Sequence, residues 1–415
     1  MTKFSIDVST LEKIRTKKLT FKGITKDYDV YRVPITMLFY NDLNGRIATF
    51  ISQYQSNGDD ITQLDNKEYN DKIAQYIKDS STSQRYKITK EDIRANTQKE
   101  VGVVLTDGRV IDGNRRFTCL RELFEETGDQ KFFYFEAVVL DAPSDDDEAG
   151  WKAIGSLELE LQIGTDEKVD YSPIDWLVRV YRDVVKHNTY TEQEYCRLTK
   201  LSPSQFKMTK MKAELMEDFL EFFDRKEQFY IAKKLELDGP LQELVKLRRK
   251  CSDREWDRMK SVFYVYLWTT KKGDKTREVR RMIGLVDSSD FDELIADAEA
   301  IAEKIISGET DVAFNINKPR QTTNTGENYS EPIKPAEENN THQSIQDKIA
   351  NAILIKTTQD AKLKPIKCCE SALQQLNMID IDLVNHWKEE QHKKEFNKLL
   401  DDIIKKVVDL KGHVN

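Results

Sequence analysis

The chain has 415 residues, which suits two to four domains. It is 39% hydrophobic and 33% charged with a net charge of −8; packed cores are affordable, and a histone-like bulk polycation is excluded. Nucleic-acid contact would therefore need a local basic face.

Cys119, Cys196, Cys251, Cys368 and Cys369 show no Cys-x-x-Cys spacing, which argues for reduced thiols, with the vicinal pair Cys368-Cys369 expected to be buried on a helix. With no signal peptide and no run of 18 apolar residues, the expected location is cytoplasmic, without membrane contact.

In chain order, Thr20–Thr25 and Tyr28–Val33 alternate as β-strands and predict a hairpin, and Ile35, Leu38 and Phe39 suit a short helical turn. Ile47–Gln55 and Tyr69–Asp79 read as helices, and Ser80–Gln84 as a polar connection. Val101–Leu105 predicts a strand, Asp107-Gly108 a tight turn and Val110-Ile111 a returning strand. Asp112-Gly113-Asn114 then breaks the strand, and Phe117, Leu120, Leu123 and Phe124 recur at helical spacing. Gly113, Asn114, Arg115 and Arg116 thus fall where a strand hands over to a helix N-terminus. Backbone N–H groups, the helix dipole and two guanidiniums all favour an anion there.

Phe132–Leu140 predicts another strand, and Ala142–Glu148 an acidic surface loop. Trp151–Gln162 and Ile174–Lys186 predict helices. Thr191 and Glu194 form a capping-box pattern, Lys200-Leu201-Ser202 a turn, and Ser202 caps a helix over Pro203–Leu215. This is the outline of a helix-turn-helix, whose second helix offers Ser204, Gln205, Lys207, Lys210 and Lys212 to DNA. Residues 246–281 hold 13 Lys/Arg against 5 Asp/Glu, a composition suited to tracking phosphates. Residues 313–341 are poor in apolar residues and read as a flexible linker, and the helical module after it ends in an apolar stripe from Phe396 to Val408. That stripe predicts self-association.

The Asp112-Gly113-Asn114-Arg115-Arg116 turn, with a hairpin before it and an amphipathic helix after it, resembles the glycine-arginine-arginine motif of the ParB/sulfiredoxin-like family. The likeness extends upstream to Val33-Pro34-Ile35, to the Asn41–Arg46 loop and to Gln98, and downstream to Leu159-Glu160-Leu161-Gln162 and Tyr171-Ser172-Pro173. It spans residues 30–220.

The resemblance implies an α+β ParB/sulfiredoxin-like domain over 1–145 and a helix-turn-helix region over 146–230, and the composition adds a basic helical domain over 231–312. The linker over 313–341 and a helical module over 342–415 complete the expected order. It further implies a DNA-binding protein whose N-terminal domain takes a nucleoside triphosphate, CTP or ATP, with Mg²⁺. The implied nucleotide contacts are Arg46, Gln98, Asp112, Gly113, Asn114, Arg115 and Arg116, with Glu160 and Gln162 at the metal. The asparagine and arginine that nucleotide-hydrolysing relatives carry beside Glu160 are absent here, which favours binding over turnover. The alternative is an enzyme of the same fold, a nuclease or nucleotide hydrolase, in a phage-defence or mobile-element setting.

Overall fold

A computed structural model describes residues 5–81, 83–162, 172–270, 273–308, 340–386 and 388–413. It divides into two compact units, 1–349 and 350–415. The expected segments 1–145, 146–230 and 231–312 all lie in the first. Most of the expected linker, residues 313–339, lies outside the described residues, as does Tyr171.

The first unit is α+β, with one mixed six-stranded sheet and a mostly helical remainder. Its strands are β1 (Lys13–Phe21), β2 (Ile24–Pro34), β3 (Phe39–Tyr40), β4 (Gly102–Leu105), β5 (Arg109–Asp112) and β6 (Tyr134–Leu140), in spatial order β1-β2-β6-β4-β5-β3. The β1–β2, β2–β6 and β4–β5 pairs are antiparallel, whereas β4–β6 and β3–β5 are parallel. The predicted first hairpin forms, but its turn is Lys22-Gly23, both at positive φ, inside the stretch expected to be a strand. Ile35–Met37 makes one 3₁₀ turn, and Phe39 then pairs as strand rather than joining it.

Period-two alternation distributes the core over both sheet faces. Val104, Val110, Phe135 and Ala137 pack with α1 (Ala48–Ser56), α2 (Asn66–Ser80) and α4 (Asn114–Thr127) through Ile51, Ile73, Phe117 and Leu120. Val103, Leu105, Ile111 and Val138 face the other way, onto Ile154 and Leu157 of α5 (Glu148–Gln162). Edge strand β1 carries Lys13, Arg15, Lys17 and Lys18, charges that discourage pairing with a second sheet.

A further helix, α3 (Ser83–Asn96), occupies a stretch for which no element was expected beyond Gln84. It is fastened to α4 by Tyr86 and Lys90, whose hydroxyl and ammonium reach Glu122 at 2.8 and 2.9 Å. Burial alone would raise the Glu122 pKa, but Lys78, Lys90 and Tyr86 together hold it at about 2.

The helical remainder runs through α6 (Pro173–Val180), which continues into a π-helical turn over Tyr181–Lys186. Next come α7 (Glu192–Thr199), α8 (Pro203–Phe222), α9 (Phe229–Lys234), α10 (Asp238–Arg248), α11 (Asp253–Thr269), α12 (Lys275–Ile283) and α13 (Ser289–Ile306). Asp175, 1% exposed, pins this part to the sheet domain: it accepts from the Thr49 N–H at 3.2 Å and from Lys233 at 2.8 Å.

Helix α14 (Asn340–Asn377) runs across the boundary between the units; α15 (Ile381–Asn385) and α16 (Glu390–Gly412) complete the second. There Cys368 and Cys369 are exposed, contrary to the expected burial, and all five cysteines are free thiols. No described helix is long and apolar enough to cross a membrane.

Candidate functional site

The β4–β5 hairpin closes at Asp107-Gly108 as predicted, with Gly108 at φ +93°. Strand β5 ends at Asp112, and Gly113 follows at φ +97° as the N-cap of α4. That left-handed backbone favours glycine. A Cβ there would also lie 2.7 Å from the Phe135 ring and 3.1 Å from the Arg116 guanidinium. Gly102 faces the same constraint from the other side: its Cβ would lie 2.3 Å from Phe135 and 2.8 Å from the Asp112 carbonyl oxygen. Two glycines therefore let Phe135 pack beneath the turn and aim the start of α4. The cap has no side chain to accept from the first-turn N–H groups, so that end of the helix dipole is left for an external acceptor.

Above this turn lies a cavity of about 790 Å³, within the size range of small-molecule sites. Of the seven residues expected to contact a nucleotide, six line it: Arg46, Asp112, Gly113, Asn114, Arg115 and Arg116. Gln98 does not. Its side-chain amide donates to the Glu100 and Glu136 carbonyls at 2.8 and 2.7 Å and accepts from the Glu136 N–H at 2.9 Å. It pins the β4 approach to β6 and has no donor left for a ligand.

Arg116 reaches Asp112 at 3.2 Å, yet its Nε is buried without a hydrogen-bond partner. Asn114 is 7% exposed and its side-chain oxygen is likewise unsatisfied. Buried polar atoms without partners are uncommon in folded proteins and mark a place where something else bonds. Arg115 contacts the Ser81 hydroxyl at 3.3 Å.

Three parts of the wall were not foreseen. Lys17 comes from β1, and Ile88, Thr89, Asp92 and Ile93 come from α3, while Ile77, Ser80 and Ser81 close the end of α2. Lys17 donates to the Val101 carbonyl at 2.8 Å. Burial pushes its pKa below the usual value; Asp112 opposes that shift and Arg116 adds to it. The lining carries five cations (Lys17, Arg46, Lys99, Arg115, Arg116) against three carboxylates (Asp92, Glu100, Asp112), with Ile77, Ile88, Ile93 and Leu161 as an apolar wall.

The expected metal ligands do not converge. Gln162 borders the cavity, but its amide donates to Glu158 at 3.1 Å. Glu160 is not in the lining, and Asp112 is engaged by Arg116. Among the described residues no group of three or more His, Cys, Asp and Glu could hold a metal. This donor set does not fit Mg²⁺.

The helix-turn-helix outline is present. Thr191 and Ser202 both form capping boxes, and Lys200 stands at φ +56°, in the left-handed turn position where glycine is common. The residues expected to meet DNA are divided. Ser204 and Lys207 are exposed. The Gln205 side chain is used in the Ser202 capping box, accepting from its N–H at 3.0 Å. Lys210 is paired with Glu192 at 2.7 Å, and Lys212 is buried against Asp238. Helix α8 continues to Phe222 and sinks that end into the helical core.

Six of the 13 basic residues of the 246–281 segment are also ion-paired. Lys246 and Arg280 hold Glu243 at 2.9 and 2.8 Å, and Lys260 holds Asp218 at 2.9 Å. Arg281 holds Glu278 at 2.7 Å, Arg248 pairs with Asp253, and Arg258 pairs with Asp292. Asp218, Glu243 and Asp292 lie outside the segment that carries the excess.

The sheet, the glycine-capped helix and the cation-lined cavity define an α+β protein in which the start of α4 borders that cavity. No family model, curated protein or solved structure matches the chain.

Proposed function

We propose that the Gly113–Arg116 cavity binds a phosphate-bearing ligand, a nucleoside triphosphate, in a protein of ParB/sulfiredoxin-like type. The observation that carries this reading is the pair of unsatisfied buried groups, Arg116 Nε and the Asn114 side-chain oxygen, at an uncapped helix N-terminus. A phosphate would accept from the Arg116 Nε and from the first-turn N–H groups, and a sugar hydroxyl could donate to Asn114. The apolar wall of α2 and α3 would take the rest of the ligand. Calorimetry with each of the four ribonucleoside triphosphates tests this: saturable binding of at least one is expected, and binding of none overturns it.

The DNA-binding reading rests on the helix-turn-helix, with Ser204 and Lys207 as the exposed contacts. The second unit supports self-association with a second copy. Leu399, Ile403, Ile404, Val407, Val408 and Leu410 of α16 are all exposed, and no residue of α16 is buried. An amphipathic helix of this kind gains its stability by burying such a stripe. Ile403→Glu with Val407→Glu in the full chain should reduce the assembly size in light scattering; an unchanged size would contradict this.

A further inference from the structure

A second cavity, of about 1020 Å³, lies between β5, the Asn41–Ala48 loop, α5 and the π-helical turn after α6. Its floor holds a buried network in which Arg179 is engaged by Glu158 at 3.4 Å and by Asp183 at 2.6 Å. Two other guanidiniums line the same space. Arg109 lies over the Trp151 ring, 4.8 Å from its centroid, and its side chain is 17% exposed. Its nearest carboxylate, Asp107, is 3.6 Å away, too far for a hydrogen bond, and its Nε is buried with no partner. Arg182 lies over the Phe229 ring at 5.5 Å. Among the described residues no carboxylate is within ion-pair distance of it. A mostly buried guanidinium without a hydrogen-bond acceptor is costly, because its hydration is lost and nothing replaces it. The π-helical turn that presents Arg182 is itself an uncommon element, frequent at binding sites.

We propose that this cavity is a second ligand site, taking a small organic oxyanion whose phosphate or carboxylate group is held by Arg109 and Arg182. The contacts with the Trp151 and Phe229 rings use none of the guanidinium N–H donors, which stay available to an anion. Arg179 is not part of this grip, since two carboxylates already hold it. The site is independent of the Gly113–Arg116 cavity and of whatever binds there.

Tryptophan fluorescence of the full-length protein tests this, with inorganic pyrophosphate and succinate as separate probes. A saturable change is expected with one of them, and which one it is identifies the anion class. Arg109→Gln and Arg182→Gln should each weaken that binding about tenfold or more. Arg115→Gln should leave it unchanged, and Trp151→Phe should remove most of the signal. Melting curves control for folding. The proposal is overturned if neither probe gives a saturable change, if Arg115→Gln removes the change, or if only a variant with a lowered melt shows weakening.

Discussion

Two basic regions of this chain differ in how the fold uses their cations. Around Gly113 the cations meet a cavity in which a buried guanidinium nitrogen has no partner. Across residues 246–281, six of the basic side chains are ion-paired. Among the described residues of the helical part, one buried group left partly unmet is a carboxylate: Glu217 is 5% exposed with one oxygen unsatisfied. An excess of charge counted along a sequence is thus a poor guide to a binding surface. A cation is most open to a ligand where the fold leaves one of its donors without an acceptor, as at Arg116 Nε.

The largest effect should come from the cavity itself. Arg115→Ala with Arg116→Ala removes charge-assisted bonds and should weaken nucleotide binding about a hundredfold or more. The melt of the unliganded protein should stay almost unchanged. Equal loss of binding and of stability would instead make them structural. Gly113→Ala tests the backbone that aims the helix. At φ +97° and 2.7 Å from Phe135, an added methyl should cost about 1–3 kcal/mol in chemical denaturation; a neutral outcome would show that the turn relaxes freely.

The contrast is equally open to attack from the helical side. Burial raises the Glu217 pKa to about 7 from an ordinary 4.5, the Glu227 N–H lowers it in part, and the charge of Glu227 adds to the rise. A carboxyl whose folded pKa lies above its unfolded one binds more protons when folded. Its contribution is full below about 4.5 and is lost as pH rises through about 7. Melting temperature should therefore fall over that window, and Glu217→Gln should flatten the fall; a variant with the same slope as the parent would exclude Glu217 as its source. The smallest effect concerns DNA. Lys207→Ala should flatten the salt dependence of duplex binding by about one unit, while Arg258→Gln and Arg280→Gln leave it alone. If fluorescence anisotropy shows the arginine variants flattening it equally, their ion pairs open for DNA and the contrast fails.

What could be read in advance was local. Asp107-Gly108, the Gly113 handover, the Thr191 capping box, the Ser202 cap and the turn at Lys200 each depend on a few neighbouring residues, and each is found. What could not be read depends on distant partners. Helix α3 places Tyr86, Lys90 and Ile93 on the face toward α4; an apolar pattern would need a hydrophobe where Lys90 stands, and Lys90 instead pairs with Glu122 and Glu126 at 2.9 and 2.6 Å. Lys17 reaches the cavity from an edge strand 95 residues before Asp112. The partners of Lys212 and Arg280 come from α10, and that of Arg258 from α13. No spacing rule within a segment predicts those pairings.

The central claim is that the Gly113–Arg116 turn grips phosphate. The most direct measurement is a crystallographic density map of the protein soaked with a mixture of the four ribonucleoside triphosphates. The account predicts phosphate density within hydrogen-bond distance of the Asn114–Arg116 N–H groups and of Arg116 Nε, with the rest of the nucleotide along Ile77, Ile88 and Leu161. A nucleotide bound elsewhere, or none in a map that resolves those side chains, would contradict it.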